Sequence, residues 1–161
     1  MTLYQTADLC DQFPEVVKVA DPIFRCFGQK PSFGGEMVTV KVHEDNVLVK
    51  ERLNQSGTGK VLVVDGGGSM RCALVGDLLA QAAIDNGWEG IVVYGCIRDS
   101  ATINTLPIGI HALATHPLKS VKHGRGDRDL PVTFAGVTFF PGHYLYADAD
   151  GMIVSSQRLV T

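Results

Sequence analysis

Met37-Val38-Thr39-Val40-Lys41-Val42 alternates apolar and polar residues with period two, which predicts a strand with one face in a core. Residues 45–53 follow as a helix whose start Asp45 or Asn46 can cap. Val61-Leu62-Val63-Val64 is apolar without interruption until Asp65-Gly66-Gly67-Gly68, so it reads as a strand covered on both faces. Leu74, Leu78, Leu79, Ala82 and Ala83 recur at helical spacing and predict a helix over 74–86, stopped by Asn86-Gly87. Gly90-Ile91-Val92-Val93-Tyr94 repeats the buried-strand pattern, so 61–94 forms one β-loop-α-β unit. A short helix over 99–104 and a strand over 109–114 are expected next. The last third changes character. Val132-Thr133-Phe134 and Val137-Thr138-Phe139-Phe140 flank Ala135-Gly136 as a tight hairpin, and 144–147 with 152–155 flank a turn at Asp150-Gly151. These elements predict the α/β class: one domain over 1–161, with a central βαβ unit and a β-rich C-terminal part.

The composition adds exclusions. Of the 161 residues, 45% are hydrophobic and 19% charged, enough apolar surface for a core and too little charge for a disordered or coiled-coil chain. A net charge of -3 gives no sign of a nucleic-acid groove or an anionic membrane as partner. The stretch 119–128 holds Lys119, Lys122, Arg125 and Arg128, but Asp127 and Asp129 dilute it, and it reads as a solvated loop. Apolar runs stay well short of the roughly 18 residues that span a bilayer, so no membrane helix is expected. Residues 1–10 carry Asp8 early and lack the basic start and apolar stretch of a signal peptide, so a cytoplasmic location is expected. Cys10, Cys26, Cys72 and Cys96 form no C-x-x-C pair and read as buried free thiols in a reducing compartment.

Three places can carry chemistry. The loop Asp65-Gly66-Gly67-Gly68-Ser69-Met70-Arg71 leaves a buried strand for a predicted helix, where backbone N–H groups can meet an anion. It lacks the Gly-Lys-Ser/Thr ending of a P-loop, and Arg71 interrupts a dinucleotide fingerprint, so a small carboxylate is the better ligand. Gly76-Asp77 stands at a helix start, and Arg98-Asp99 follows a strand on the side where open α/β sheets bind ligands. A βαβ unit brings these two pairs to one sheet edge and one pocket. Two carboxylates there suit a hard divalent cation such as Mg²⁺ or Mn²⁺, and Arg98 offers a planar fork to a carboxylate or enolate. His43, His111, His116, His123 and His143 are dispersed and read as structural or exposed. No Gly-x-Ser-x-Gly elbow occurs, and no lysine sits in the apolar setting of a Schiff-base amine.

Several segments in combination resemble one family: Pro31-Ser32-Phe33-Gly34-Gly35, the run from Val61 to Ser69, Trp88-Glu89-Gly90, and Gly136-Val137-Thr138-Phe139-Phe140. The chain resembles, nearly end to end, the RraA-like family of ribonuclease regulators and metal-dependent 4-hydroxy-4-methyl-2-oxoglutarate aldolases. The aldolase branch carries Asp, 20 residues, then Arg-Asp, and positions 78–97 separate Asp77 from Arg98-Asp99 in the same way. The resemblance implies a swivelling β/β/α domain in rings of three, with the active site at the subunit boundary. It implies that Asp99 holds the divalent metal and that Arg98 binds substrate and the developing enolate. Gly76, Asp77, Leu78 and Leu79 would line the substrate site, with Asp77 beside the water that takes the C4 hydroxyl proton. Oxaloacetate would lose CO₂ through the same pyruvate enolate. Thr102 stands where the family often has an acidic residue. The alternative is a non-catalytic trimer that docks on a ribonuclease of the RNase E type. A methyltransferase reading, also attached to the family, gains little from the interrupted glycine fingerprint.

Overall fold

Twelve strands and four helices lie along residues 4–160, the part of the chain that the computed structural model describes. In chain order they are α1 (Thr6–Gln12), β1 (Lys18–Val19), β2 (Arg25–Phe27), β3 (Phe33–Lys41), α2 (Val47–Leu53), β4 (Lys60–Asp65), β5 (Ala73–Val75) and α3 (Asp77–Asp85). There follow β6 (Gly90–Ile97), α4 (Ser100–Ile103), β7 (Ile110–Thr115), β8 (Asp127–Arg128), β9 (Val132–Phe134), β10 (Val137–Phe139), β11 (Tyr144–Asp148) and β12 (Gly151–Ser155). The class is α/β. Ten strands form one mixed sheet in the order β1-β12-β11-β3-β4-β6-β7-β2, with β5 added on β6 and β8 on β3, while β9 and β10 form a separate hairpin. The centre, β3, β4, β6 and β7, is parallel, and β11, β12, β1 and β2 extend it antiparallel.

Because side chains alternate across a strand, the continuous apolar runs of the parallel strands feed two cores. Leu62, Val64, Ile91 and Val93 face α2, α3 and α4, packing with Leu48, Val49, Leu53, Ala80, Ala83 and Ile103. Val61, Val63 and Val92 face the other way, onto the hairpin residues Val132, Phe134, Val137 and Phe139. The hairpin turn at Ala135-Gly136 has both residues at positive φ, 52° and 75°, the conformation that matches the strand twist.

Three expectations need correction. The helix expected over 74–86 begins only at Asp77, because residues 73–75 extend as β5 and complete the pairing of β6 beyond the end of β4. The helical spacing of Leu74 and Leu78 was coincidental: Leu74 is buried and Leu78 is 81% exposed. The last turn lies one residue earlier, since Asp148 pairs with Gly151 and leaves Ala149-Asp150 as its tip. Of the four free thiols, Cys72 and Cys96 are buried, but Cys10 is only partly covered and Cys26, on the edge strand β2, is exposed. The basic stretch is exposed along most of its length, as expected, yet it is anchored: the buried Asp45 accepts the backbone N–H groups of His123 and Arg125. No helix among the described residues is long and apolar enough to cross a membrane.

Candidate active site

The short strand β5 creates the site. Its parallel pairing with the outer end of β6 aligns Ala73 with Cys96 and Val75 with Ile97, and the Arg98 N–H donates to the Val75 carbonyl at 2.9 Å. The next residues on each strand, Gly76-Asp77 and Arg98-Asp99, therefore leave the sheet side by side. Asp99 turns the chain into α4 with φ 59° and ψ 37°, a left-handed conformation that asparagine and aspartate tolerate better than most residues. There its Oδ2 accepts the Asp77 N–H at 3.0 Å. That donor belongs to the first turn of α3, where N–H groups lack partners within the helix and the dipole is positive. The Asp77 N–H holds the Asp99 carboxyl below the usual carboxylate range, against the opposing effect of burial, and the Arg98 guanidinium contributes a lesser part in the same direction.

An open cavity of about 410 Å³ lies over this pair. One wall is the start of α3 (Gly76, Asp77, Leu78, Leu79), another is Arg98-Asp99, and the third is α2 and its flanks (Asn46, Lys50, Asn54), with Lys122 at the rim. The Asn46 amide donates to the Leu74 carbonyl at 3.0 Å, and its oxygen accepts the Lys122 ammonium at 2.9 Å. Cations Lys50, Arg98 and Lys122 outnumber the carboxylates of Asp77 and Asp99, so the cavity suits a small anionic ligand. All six residues singled out in the sequence thus line one cavity. The sequence reading missed Asn46, Lys50, Asn54 and Lys122. The first three recur every four residues on one face of α2, a signal that becomes useful only once α2 is known to pack beside α3.

The sequence model of the RraA-like family (Aldolase/RraA) matches residues 6–154. The chain belongs to the RraA-like family. A relative from Pseudomonas fluorescens (strain Pf0-1) is 58% identical over 159 residues, covering 99% of this chain and 98% of its own length. One from Azotobacter vinelandii is 61% identical over 156 residues, covering 97% and 96%. Both carry 4-hydroxy-4-methyl-2-oxoglutarate aldolase as a provisional name. Among solved structures, the RNA-processing inhibitor RraA from Thermus thermophilis superimposes with a TM-score of 0.93 at 43% identity, over 97% of this chain and 94% of that one. A Geobacillus kaustophilus structure named as an S-adenosylmethionine: 2-dimethylmenaquinone methyltransferase gives 0.95 at 51% identity, covering 97% of each chain.

In this RraA-like chain the donor set decides which metal would fit. Among the described residues no three His, Cys, Asp or Glu side chains converge, so a closed zinc-type cage is not formed. Asp77 and Asp99 line the same cavity, and the Asp77 N–H is bonded to the Asp99 carboxylate. Two adjacent carboxylates repel unless a proton or cation lies near them, and Mg²⁺ binds through one or two carboxylates with the remainder of its shell water. The pair fits a hard, hydrated divalent cation.

The glycine-rich loop does not fit its expected role. The Gly66 and Gly68 N–H groups both donate to the Tyr94 carbonyl at 3.1 Å, and the Gly67 N–H donates to Asp65 Oδ1 at 2.9 Å, so these amides are used within the fold. Ser69 Oγ donates to Glu44, which also pairs with Arg71, tying the loop to the segment after β3. The glycines serve a tight turn, and the chain passes from it into β5 before reaching a helix. His111 lies in the core, where burial pushes its pKa down to about 4, with Cys26 Sγ 3.3 Å from its Nε2.

Proposed function

We propose that this RraA-like protein is a divalent-metal-dependent aldolase that cleaves 4-hydroxy-4-methyl-2-oxoglutarate to pyruvate and decarboxylates oxaloacetate at the same site. The observation that carries the reading is the Asp77 N–H bond to the Asp99 carboxylate, beside Arg98, in a cavity richer in cations than in carboxylates. Asp99, with Asp77 beside it, would hold Mg²⁺ or Mn²⁺. When bound, the cation supplies positive charge that favours the enolate over the keto form. Arg98 presents its planar fork to the 2-oxo acid and to the negative charge that develops on its keto oxygen. The Leu78 and Leu79 N–H groups, in the first turn of α3, are donors for the substrate carboxylate. Asp77 receives the C4 hydroxyl proton through water. As that proton leaves, the C4 oxygen becomes a ketone, the C3–C4 bond breaks, and its electron pair passes into the C2–C3 enolate. Protonation at C3 gives the second pyruvate. Oxaloacetate reaches the same enolate by losing CO₂.

Substitutions Arg98→Ala and Asp99→Ala test the assignment. Each removes an electrostatic contribution typically worth about 3 kcal/mol, so pyruvate release from either substrate is expected to fall by on the order of 10²-fold or more. Near-wild-type turnover in either variant contradicts the assignment. Four free thiols suit the reducing cytoplasm as its location. The resemblance to the Thermus RraA supports a second reading, a trimer that docks on a ribonuclease and restrains it. Such a regulator has no need of Asp77, Arg98 and Asp99 together. It becomes the better reading if neither substrate releases pyruvate.

A further inference from the structure

The N-cap of α3 is Gly76, which has no side chain to accept a first-turn N–H, and the acceptor comes instead from Asp99 on the neighbouring strand end. Gly76 is not required by its backbone, because φ -120° and ψ -167° form an extended conformation open to any residue. What it lacks is a Cβ, and a Cβ built there stands 2.7 Å from Asp99 Oδ2. Both backbones are tied by hydrogen bonds. The Gly76 carbonyl accepts the Ala80 N–H at 3.0 Å, the Arg98 N–H is tied to Val75 at 2.9 Å, and the Asp99 carbonyl accepts the Ile103 N–H at 2.9 Å. Arg98 is not the obstacle, since its Cγ and Nε lie 3.5 and 3.6 Å from the same Cβ, ordinary contact distances. A methyl group at position 76 is thus accommodated only by swinging the Asp99 carboxylate away from the Asp77 N–H.

We infer that Gly76 is a positioning residue for Asp99: the space left by its missing side chain is where the carboxylate is held against the start of α3, in the orientation that takes the divalent cation. The metal part of this inference rests on the function proposed above. The positioning part rests on the steric geometry alone.

Two measurements on the full-length protein separate these parts. Hydrogen exchange of the Asp77 amide, followed by NMR without added metal, reads the contact directly. The Asp77 N–H is expected to be protected in the wild type and to exchange as fast in Gly76→Ala as in Asp99→Ala, while Ala83 inside α3 keeps its protection in all three. Titration with Mn²⁺ followed by EPR reads the consequence. Asp99→Ala is expected to lose the site, and Gly76→Ala to weaken it by about 10-fold or more, the usual effect of removing an orienting contact. If the Asp77 amide stays protected in Gly76→Ala, the inference is overturned whatever the Mn²⁺ affinity. If protection is lost but Mn²⁺ binds all three proteins equally, Gly76 positions Asp99 as inferred, and the metal role of Asp99 in the proposed function falls.

Discussion

Asp99 does two things that pull on different observables. It caps α3 from outside that helix, and in the proposed function it would hold the cation. As a cap on an exposed carboxylate it is worth the low end of such contributions, so Asp99→Ala is expected to cost about 0.5–1 kcal/mol in urea unfolding at neutral pH. Its folded pKa lies below the unfolded value of about 3.9. The contribution is therefore complete above the unfolded pKa and is lost as the pH falls through the folded one. The stability gap between wild type and Asp99→Ala should close in strongly acidic solution, and a gap that stays constant to acid pH contradicts the capping role. The sequence made the charged members of this candidate site legible, because Arg98 and Asp99 follow a recognisable strand and Asp77 stands near the start of a recognisable helix. It did not reveal that the missing side chain of Gly76 matters through Asp99, since that contact joins residues on two different strand ends.

At the scale of elements, the long apolar strands and the C-terminal hairpins were legible because each repeats a period over enough residues to exclude alternatives. Val61 to Val64 and Ile91 to Val93 behave as buried parallel strands, and Ala135-Gly136 makes the tight turn that its residues favour. The element that builds the site was not legible. β5 has only three residues, too few to show a period of two, and Leu74 with Leu78 imitates one turn of a helix. Only pairing with the outer end of β6 makes 73–75 extended, and that pairing joins residues more than twenty positions apart. The glycine-rich loop failed in the opposite sense. Its composition suggests free amides, but Tyr94 and Asp65 accept them, so a local pattern was answered by partners in the fold.

Across the whole molecule, the candidate cavity is open on one side, and Leu78 on its wall and Val121 beside Lys122 are both more than half exposed. The family resemblance implies a ring of three with the site at a subunit boundary, an assembly that would cover Leu78 and Val121. Light scattering is expected to give about three times 17.3 kDa in solution, whereas a mass near one chain contradicts that assembly. The central claim is chemical, and one measurement reaches it most directly: pyruvate released from 4-hydroxy-4-methyl-2-oxoglutarate with Mg²⁺, and again after EDTA. Release that needs the metal and gives two pyruvates per substrate is expected. No release with Mg²⁺ present, or equal release after EDTA, contradicts a metal-dependent aldolase built on Asp99.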